Sequence, residues 1–300
     1  MSAMSPTPII RQLHVDLNEP FPLRWNGGDA FSSALMNALS LSFPVGEQFF
    51  LDSVREGFKQ LPPELQDTHR EDVKAFVGQE ATHRRLHDLY NQHLLAQGMV
   101  NHWEKRAAKR IAYIQRFDIR HAVAATAATE HFTALLAHWL LSNPWFLDNA
   151  EPRLKNLWLW HASEESEHRS TAFDIYLALG GNNHWRLLWM RRITWFFLTD
   201  TLRQTVNNLW HDKALFKRPT WRSAWQHLFA KGGLLRELFS PWQDYFRPDF
   251  HPRQHPDALA RDWLQTHGNL YTPVGQTRGP RIAHLMYPPC STHKPNNCFN

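Results

Sequence analysis

Residues 158–168 read WLWHASEESEH: a run of tryptophan and leucine passes straight into His161, Glu164, Glu165, Glu167 and His168 with no turn residue between. At helical spacing His161, Glu165 and His168 lie four and three residues apart and so line one face. Taken alone, such a face is an acidic strip turned to solvent. One wall of a metal site is the other reading, and a single helix cannot decide between the two.

Three other segments bear on that choice. QEATHRRLH, residues 79–87, repeats the spacing with Glu80 and His83. Glu47 stands in the apolar setting PVGEQFF, and Glu130 in AATEHFTALLAHW, where a lone carboxylate is costly. Each motif by itself admits a plain reading: a solvated face, a satisfied histidine, or an ion-pair partner. Together they give Glu, Glu-x-x-His, Glu, Glu-x-x-His on four successive helical segments, the ligand order of dinuclear carboxylate sites in four-helix bundles. Glu47, Glu80, His83, Glu130, Glu165 and His168 are the candidate ligands, with His161 as a seventh ligand or a support. Gln79 and Glu164 each precede a motif glutamate and can hydrogen-bond the free nitrogen of a ligating histidine. His87 extends the second motif by a turn and lies further from the metals. Glu167 and His131 read as exposed. Four carboxylates and two or three imidazoles suit two iron ions, with manganese or zinc as alternatives.

The helical segments follow from period and punctuation. The first spans about 29–60, with Pro44 expected to kink or interrupt it. The second follows Pro62 and Pro63 and stops near Gly98, the third spans about 101–142, and the fourth about 152–179 before Gly180 and Gly181. Long helices joined by short connections predict an all-α protein built on an antiparallel bundle. Residues 1–28 read as an extended lead-in, 29–181 as the bundle, 182–240 as a helical extension that includes about 219–239, and 241–300 as a mostly irregular tail with a short helix near 256–267.

Composition bounds the function. Charged residues make up 20% and the net charge is +5, without a nucleic-acid motif or clustered basic run, so no nucleic-acid partner is expected. Cys290 and Cys298 are the only cysteines and cannot staple a core, which suits a cytoplasmic protein. CSTHKPNNC, which contains them, reads as a loose tail rather than a metal site. The start lacks the pattern of a signal peptide, and no stretch reaches about 18 uncharged apolar residues. Residues 185–197 set Arg186, Arg191 and Arg192 beside Trp185, Trp189, Trp195, Phe196 and Phe197. They form either a fifth helix packed on the bundle or a peripheral contact with a lipid surface.

At QEATHRRLH, WHASEESEHRSTAFDIY and ATEHFTA the sequence resembles the ferritin-like bacterial proteins described as predicted metal-dependent hydrolases, over roughly residues 30–240. That resemblance implies a ferritin-like four-helix bundle with additional C-terminal helices. The ligand order is also similar to that of the di-iron arylamine N-oxygenases, in which the histidine matched here by His161 ligates one iron. This second resemblance implies a non-haem dinuclear iron oxygenase or oxidase that uses dioxygen and an electron donor on a small organic substrate. The alternatives are a dinuclear hydrolase that activates water between two metals, and a non-catalytic iron-binding bundle. A homodimer is compatible with any of them.

Overall fold

The structure, a computed structural model, describes residues 8–274. Helix α1 (Ala30–Lys59) begins where Asp29 accepts a hydrogen bond from the Ser32 N–H at 2.7 Å. It runs through Pro44 without a break. A proline there cannot donate to the Ser40 carbonyl, and Asn91 of α2 supplies the missing donor at 2.9 Å. Helix α2 (Pro63–Ala96) has Pro63 in its first turn and ends before Gly98, whose φ of +87° suits the left-handed step off a helix.

The expected third helix is two. Helix α3 (Trp103–Ile114) stops at a turn, and α4 (Ile119–Ser142) starts afresh on an Asp118 cap. The reason lies in the topology. Gly57, near the end of α1, approaches Val123 at the start of α4 and Ile175, whereas Asn37 near the start of α1 accepts a bond from Tyr90 near the end of α2. Helices α2 and α4 therefore run in the same direction, and α3 is the long crossover that carries the chain back along the bundle. A single crossover of this kind marks the ferritin-like arrangement. The fourth helix is also interrupted: α5 (Pro152–His168) and α6 (Thr171–Ala178) are separated by Arg169 and Ser170. The Arg169 guanidinium satisfies the carbonyls of Ser166, Pro252 and His255 at the break.

Helices α1, α2, α4 and α5–α6 form the bundle, and buried alanines along α4 let its neighbours pack closely. Helix α7 (Asn183–His211) lies across α1 and α4. The expected helix over 219–239 divides at Gly232 and Gly233 into α8 (Arg218–Phe229) and α9 (Leu234–Asp244). Helix α10 (Ala258–Thr266) packs on α5. Strand β1 (Arg11–Leu13) of the lead-in pairs antiparallel with β2 (Tyr271–Pro273) of the tail, so the two ends of the described chain meet. Ten α-helices and this one two-stranded ribbon are the regular elements among the described residues, apart from short 3-10 turns. None of these helices is long and apolar enough to cross a membrane. The cysteine-bearing stretch CSTHKPNNC lies outside the described residues.

Candidate metal centre

The seven candidate ligands come from α1, α2, α4 and α5, and all are buried. They converge in two groups: Glu47, His83 and His161 in one, and Glu80, Glu130, Glu165 and His168 in the other, each offering ligand atoms within 4.8 Å of one another. Glu165, of the second group, reaches imidazoles of both. Its Oε1 lies 3.4 Å from His83 Nδ1, 3.0 Å from His161 Nε2 and 3.6 Å from His168 Nε2.

Partners outside the cluster fix which nitrogen of each imidazole faces inward. Gln79 donates to the Ile9 carbonyl and to Glu167, so its own carbonyl oxygen accepts from His168 Nδ1 at 2.8 Å. The lone pair of His168 Nε2 then points at Glu80, 3.0 Å away, and Glu130, 3.4 Å away. Glu164, paired with Arg11 at 3.1 Å, accepts from His83 Nε2 at 3.0 Å and leaves His83 Nδ1 free. His161 is set by a longer chain. Asn91, anchored on the Ser40 carbonyl that Pro44 leaves free, accepts from the Ser40 hydroxyl at 2.7 Å. Ser40 Oγ accepts from His87 Nδ1, and His87 Nε2 accepts from His161 Nδ1, both at 2.8 Å. His161 Nε2 is left as a lone pair 3.0 Å from Glu165.

Three inward-facing imidazole nitrogens and four carboxylates thus face one another, and among the described residues no donor from outside the cluster reaches them. Both oxygens of Glu47, Glu80 and Glu130, with Glu165 Oε2, His83 Nδ1 and His168 Nε2, are buried and without hydrogen-bond partners. Such an arrangement is costly unless a cation occupies it, and two divalent ions would balance the four carboxylates. These residues therefore fit a metal pair. The titration behaviour agrees. Burial, with the neighbouring carboxylates, raises Glu47 and Glu130 well above the usual carboxylate range. Burial would lower His83, but Glu164 and Glu165 outweigh it and hold the imidazole at about 9. His161, lowered by burial and by His83, sits at about 4. Glu165 is held well below its usual range, against burial, by His168, His161 and His83. His168 is likewise raised well above its usual range, against burial, chiefly by Glu165 and Glu80.

The family model described as "Predicted metal-dependent hydrolase" matches residues 9–256. The chain belongs to this family. No curated protein and no solved structure matches it. The matched segment of this metal-dependent hydrolase family member takes in all seven candidate ligands and also Arg11, which the sequence reading missed. Arg11 binds Glu164 and, at 2.6 and 2.9 Å, Glu167. It reaches them because Gly78 of α2 lets the lead-in lie close: a Cβ there would come within 2.2 Å of Ile10. Two expectations are corrected. Glu167 is not a free surface residue but is held by Arg11 and Gln79. His131 is buried against Tyr245, Phe250 and His255 from the segment after α9, and burial together with His255 lowers it to about 3. His87 stands outside both ligand groups, hydrogen-bonded to His161.

A cavity of about 370 Å³ reaches the centre between α1, α3, α4 and α7. Phe49, Phe50, Trp103, Ile193 and Phe196 form apolar wall, and Glu47 is the ligand carboxylate that lines it. Its exposed rim carries Lys109, Tyr113 and Arg192. Phe43 and Thr133 also line a smaller inner pocket of about 50 Å³ that touches His161 and Glu165.

Proposed function

We propose that the chain is a dinuclear metal-dependent hydrolase that cleaves a small, largely apolar ester or amide. The observation that carries this reading is the set of buried acceptors with no donor from outside the cluster, which calls for cations at the inner end of an apolar cavity. Family membership points the same way. Two bound divalent ions supply activation of water and polarisation of a carbonyl oxygen. The chain's own residues do the rest. Gln79, Glu164 and His87 hold each imidazole with its lone pair inward. Glu47, on the cavity wall, is the ligand carboxylate that an incoming substrate meets, beside aromatic wall. The test is hydrolysis of chromogenic esters of graded acyl length by manganese- or zinc-loaded protein under nitrogen. Turnover should disappear on chelation and return with the metal. Absence of turnover across esters and amides alike would sink the hydrolase reading.

A second reading, oxidation of a small organic substrate at two iron ions with dioxygen and an electron donor, has its own support. The inner pocket against His161 and Glu165 is bounded by Met36, Leu39 and Leu136. An apolar space of that size favours a small apolar molecule over water. Oxygen uptake that depends on substrate after ferrous loading would favour this reading. Turnover without oxygen would exclude it.

A further inference from the structure

We propose that the outer face of α7, α8 and α9 docks on the surface of an anionic lipid bilayer. Residues 183–244 contain ten lysines and arginines against four acidic residues, a net charge of +6, although the whole chain carries only +5. Three of the acids are engaged elsewhere: Asp200 by Arg106 and Arg110 of α3, Asp212 by Arg24, and Asp244 by Arg247 and His255. Only Glu237 remains as an exposed acid in this region, whereas nine of the ten cations are exposed.

The same three helices and the turn between α7 and α8 carry large apolar side chains outward. Trp195, Leu202, Trp210, Phe216, Trp225 and Phe239 are each 59–84% exposed. Single exposed apolar residues are ordinary on soluble proteins; a run of them through three successive helices is not. The spacing makes stripes: Trp195, Leu198 and Leu202 recur at three and four residues on α7, and Trp221, Trp225 and Phe229 at four on α8. The helices join into one side of the molecule. The Trp210 and Phe216 rings meet at 6.1 Å, α8 packs on α9, and Trp242 of α9 donates to Thr194 of α7 at 3.0 Å.

Tryptophan beside arginine and lysine is the composition that settles at the boundary between headgroups and acyl chains. A second copy of this face is a poor occupant, because a two-fold contact would set these cations against themselves. An anionic headgroup layer neutralises all of them and takes the apolar stripes as well. The cavity rim carries Arg192 on α7 itself, so a substrate dissolved in the bilayer would meet the mouth directly. That last consequence rests on the proposed hydrolytic function; the docking does not.

The test is flotation of the full-length, metal-loaded protein with vesicles of phosphatidylcholine containing 30% phosphatidylglycerol, against vesicles of phosphatidylcholine alone. Binding is expected to the anionic vesicles, weakened by salt, and at least roughly tenfold weaker to the neutral ones. Arg203→Glu and Arg222→Glu should each weaken it roughly fivefold or more. Trp195→Glu with Trp225→Glu should abolish it, and circular dichroism checks that the fold persists in each variant. Failure to float with anionic vesicles, or flotation unchanged in these variants, overturns the proposal. So does a self-association, or capture of a single-stranded oligonucleotide, that depends on the same residues without vesicle binding. Esterase activity toward a water-soluble ester, measured separately, reports on the hydrolase reading whichever way the vesicles answer.

Discussion

The two halves of the metal centre are drawn from the same bundle yet differ in donors and in surroundings. Glu80, Glu130, Glu165 and His168 give one half three carboxylates and one imidazole, enclosed within the bundle. Glu47, His83 and His161 give the other one carboxylate and two imidazoles, and Glu47 lines the cavity. On the proposed function, the difference would separate holding from reacting. A half with three carboxylates attracts a hard divalent ion strongly and leaves it little freedom, while the cavity-side half carries less charge and meets whatever enters. Glu165, within 3.0 to 3.6 Å of all three imidazoles, ties the two together.

That tie can be cut. Glu165→Ala should reduce metal content from two ions per chain to none, measured by elemental analysis of protein loaded with excess metal and desalted. Two ions retained would show that Glu165 links nothing. The halves can then be separated. Glu130→Ala and His161→Ala should each lose one ion, but different ones. The His161 variant should keep a tightly held ion that survives dialysis, and the Glu130 variant a weakly held ion that dialysis removes. Equal retention would erase the distinction.

A finer probe acts only through the outer partners. His87→Ala deprives His161 Nδ1 of its acceptor and frees the ring to turn. Affinity for the cavity-side ion should fall roughly 10- to 100-fold with the other ion unchanged, as read by competition with a metallochromic chelator. Loss of both ions would mean that His87 supports the bundle and not one imidazole.

Legibility in the sequence follows the range of the interactions concerned. Glu80–His83 and Glu165–His168 could be found because a helix repeats locally, and Glu47 and Glu130 because a carboxylate in an apolar helix is conspicuous. The four bundle helices announced themselves through period, proline and glycine. Arg11 could not be found in the same way: it meets Glu164 across 153 positions of sequence, through a strand that pairs with Tyr271–Pro273 near the other end of the described residues. Glu167 was misread for the same reason, since its partners come from β1 and α2. His131 looked exposed because nothing local reveals that the segment after α9 folds over it. The break between α3 and α4 was hidden by continuous helical propensity; the crossover that requires it belongs to the topology.

The mildest expected effect is the response to pH, and here the two cavity-side histidines should differ. In the metal-free protein Glu164 and Glu165 hold His83 at about 9 against the effect of burial, compared with about 6.5 in an unfolded chain. Between those values the folded state binds the extra proton, so this contribution to stability is complete below about pH 6.5 and is lost as pH rises through 9. Glu47 and Glu130, raised by burial, change stability in the same direction, so the melting temperature of the metal-free protein should decline as pH rises from about 6.5 to 9, above the range in which the lowered His161 and His131 oppose it. Metal uptake runs the other way. The proton occupies His83 Nδ1, where the ion must bind, so affinity should rise by roughly tenfold per pH unit and level off near 9. His161, at about 4, is already neutral over this range and adds no slope. In His83→Gln protein the pH dependence of the cavity-side ion should therefore flatten, while in His161→Gln protein the residual binding should keep it. A slope unchanged in His83→Gln would assign the competing proton to another group of this half, with Glu47, raised by burial, the carboxylate that supplies it.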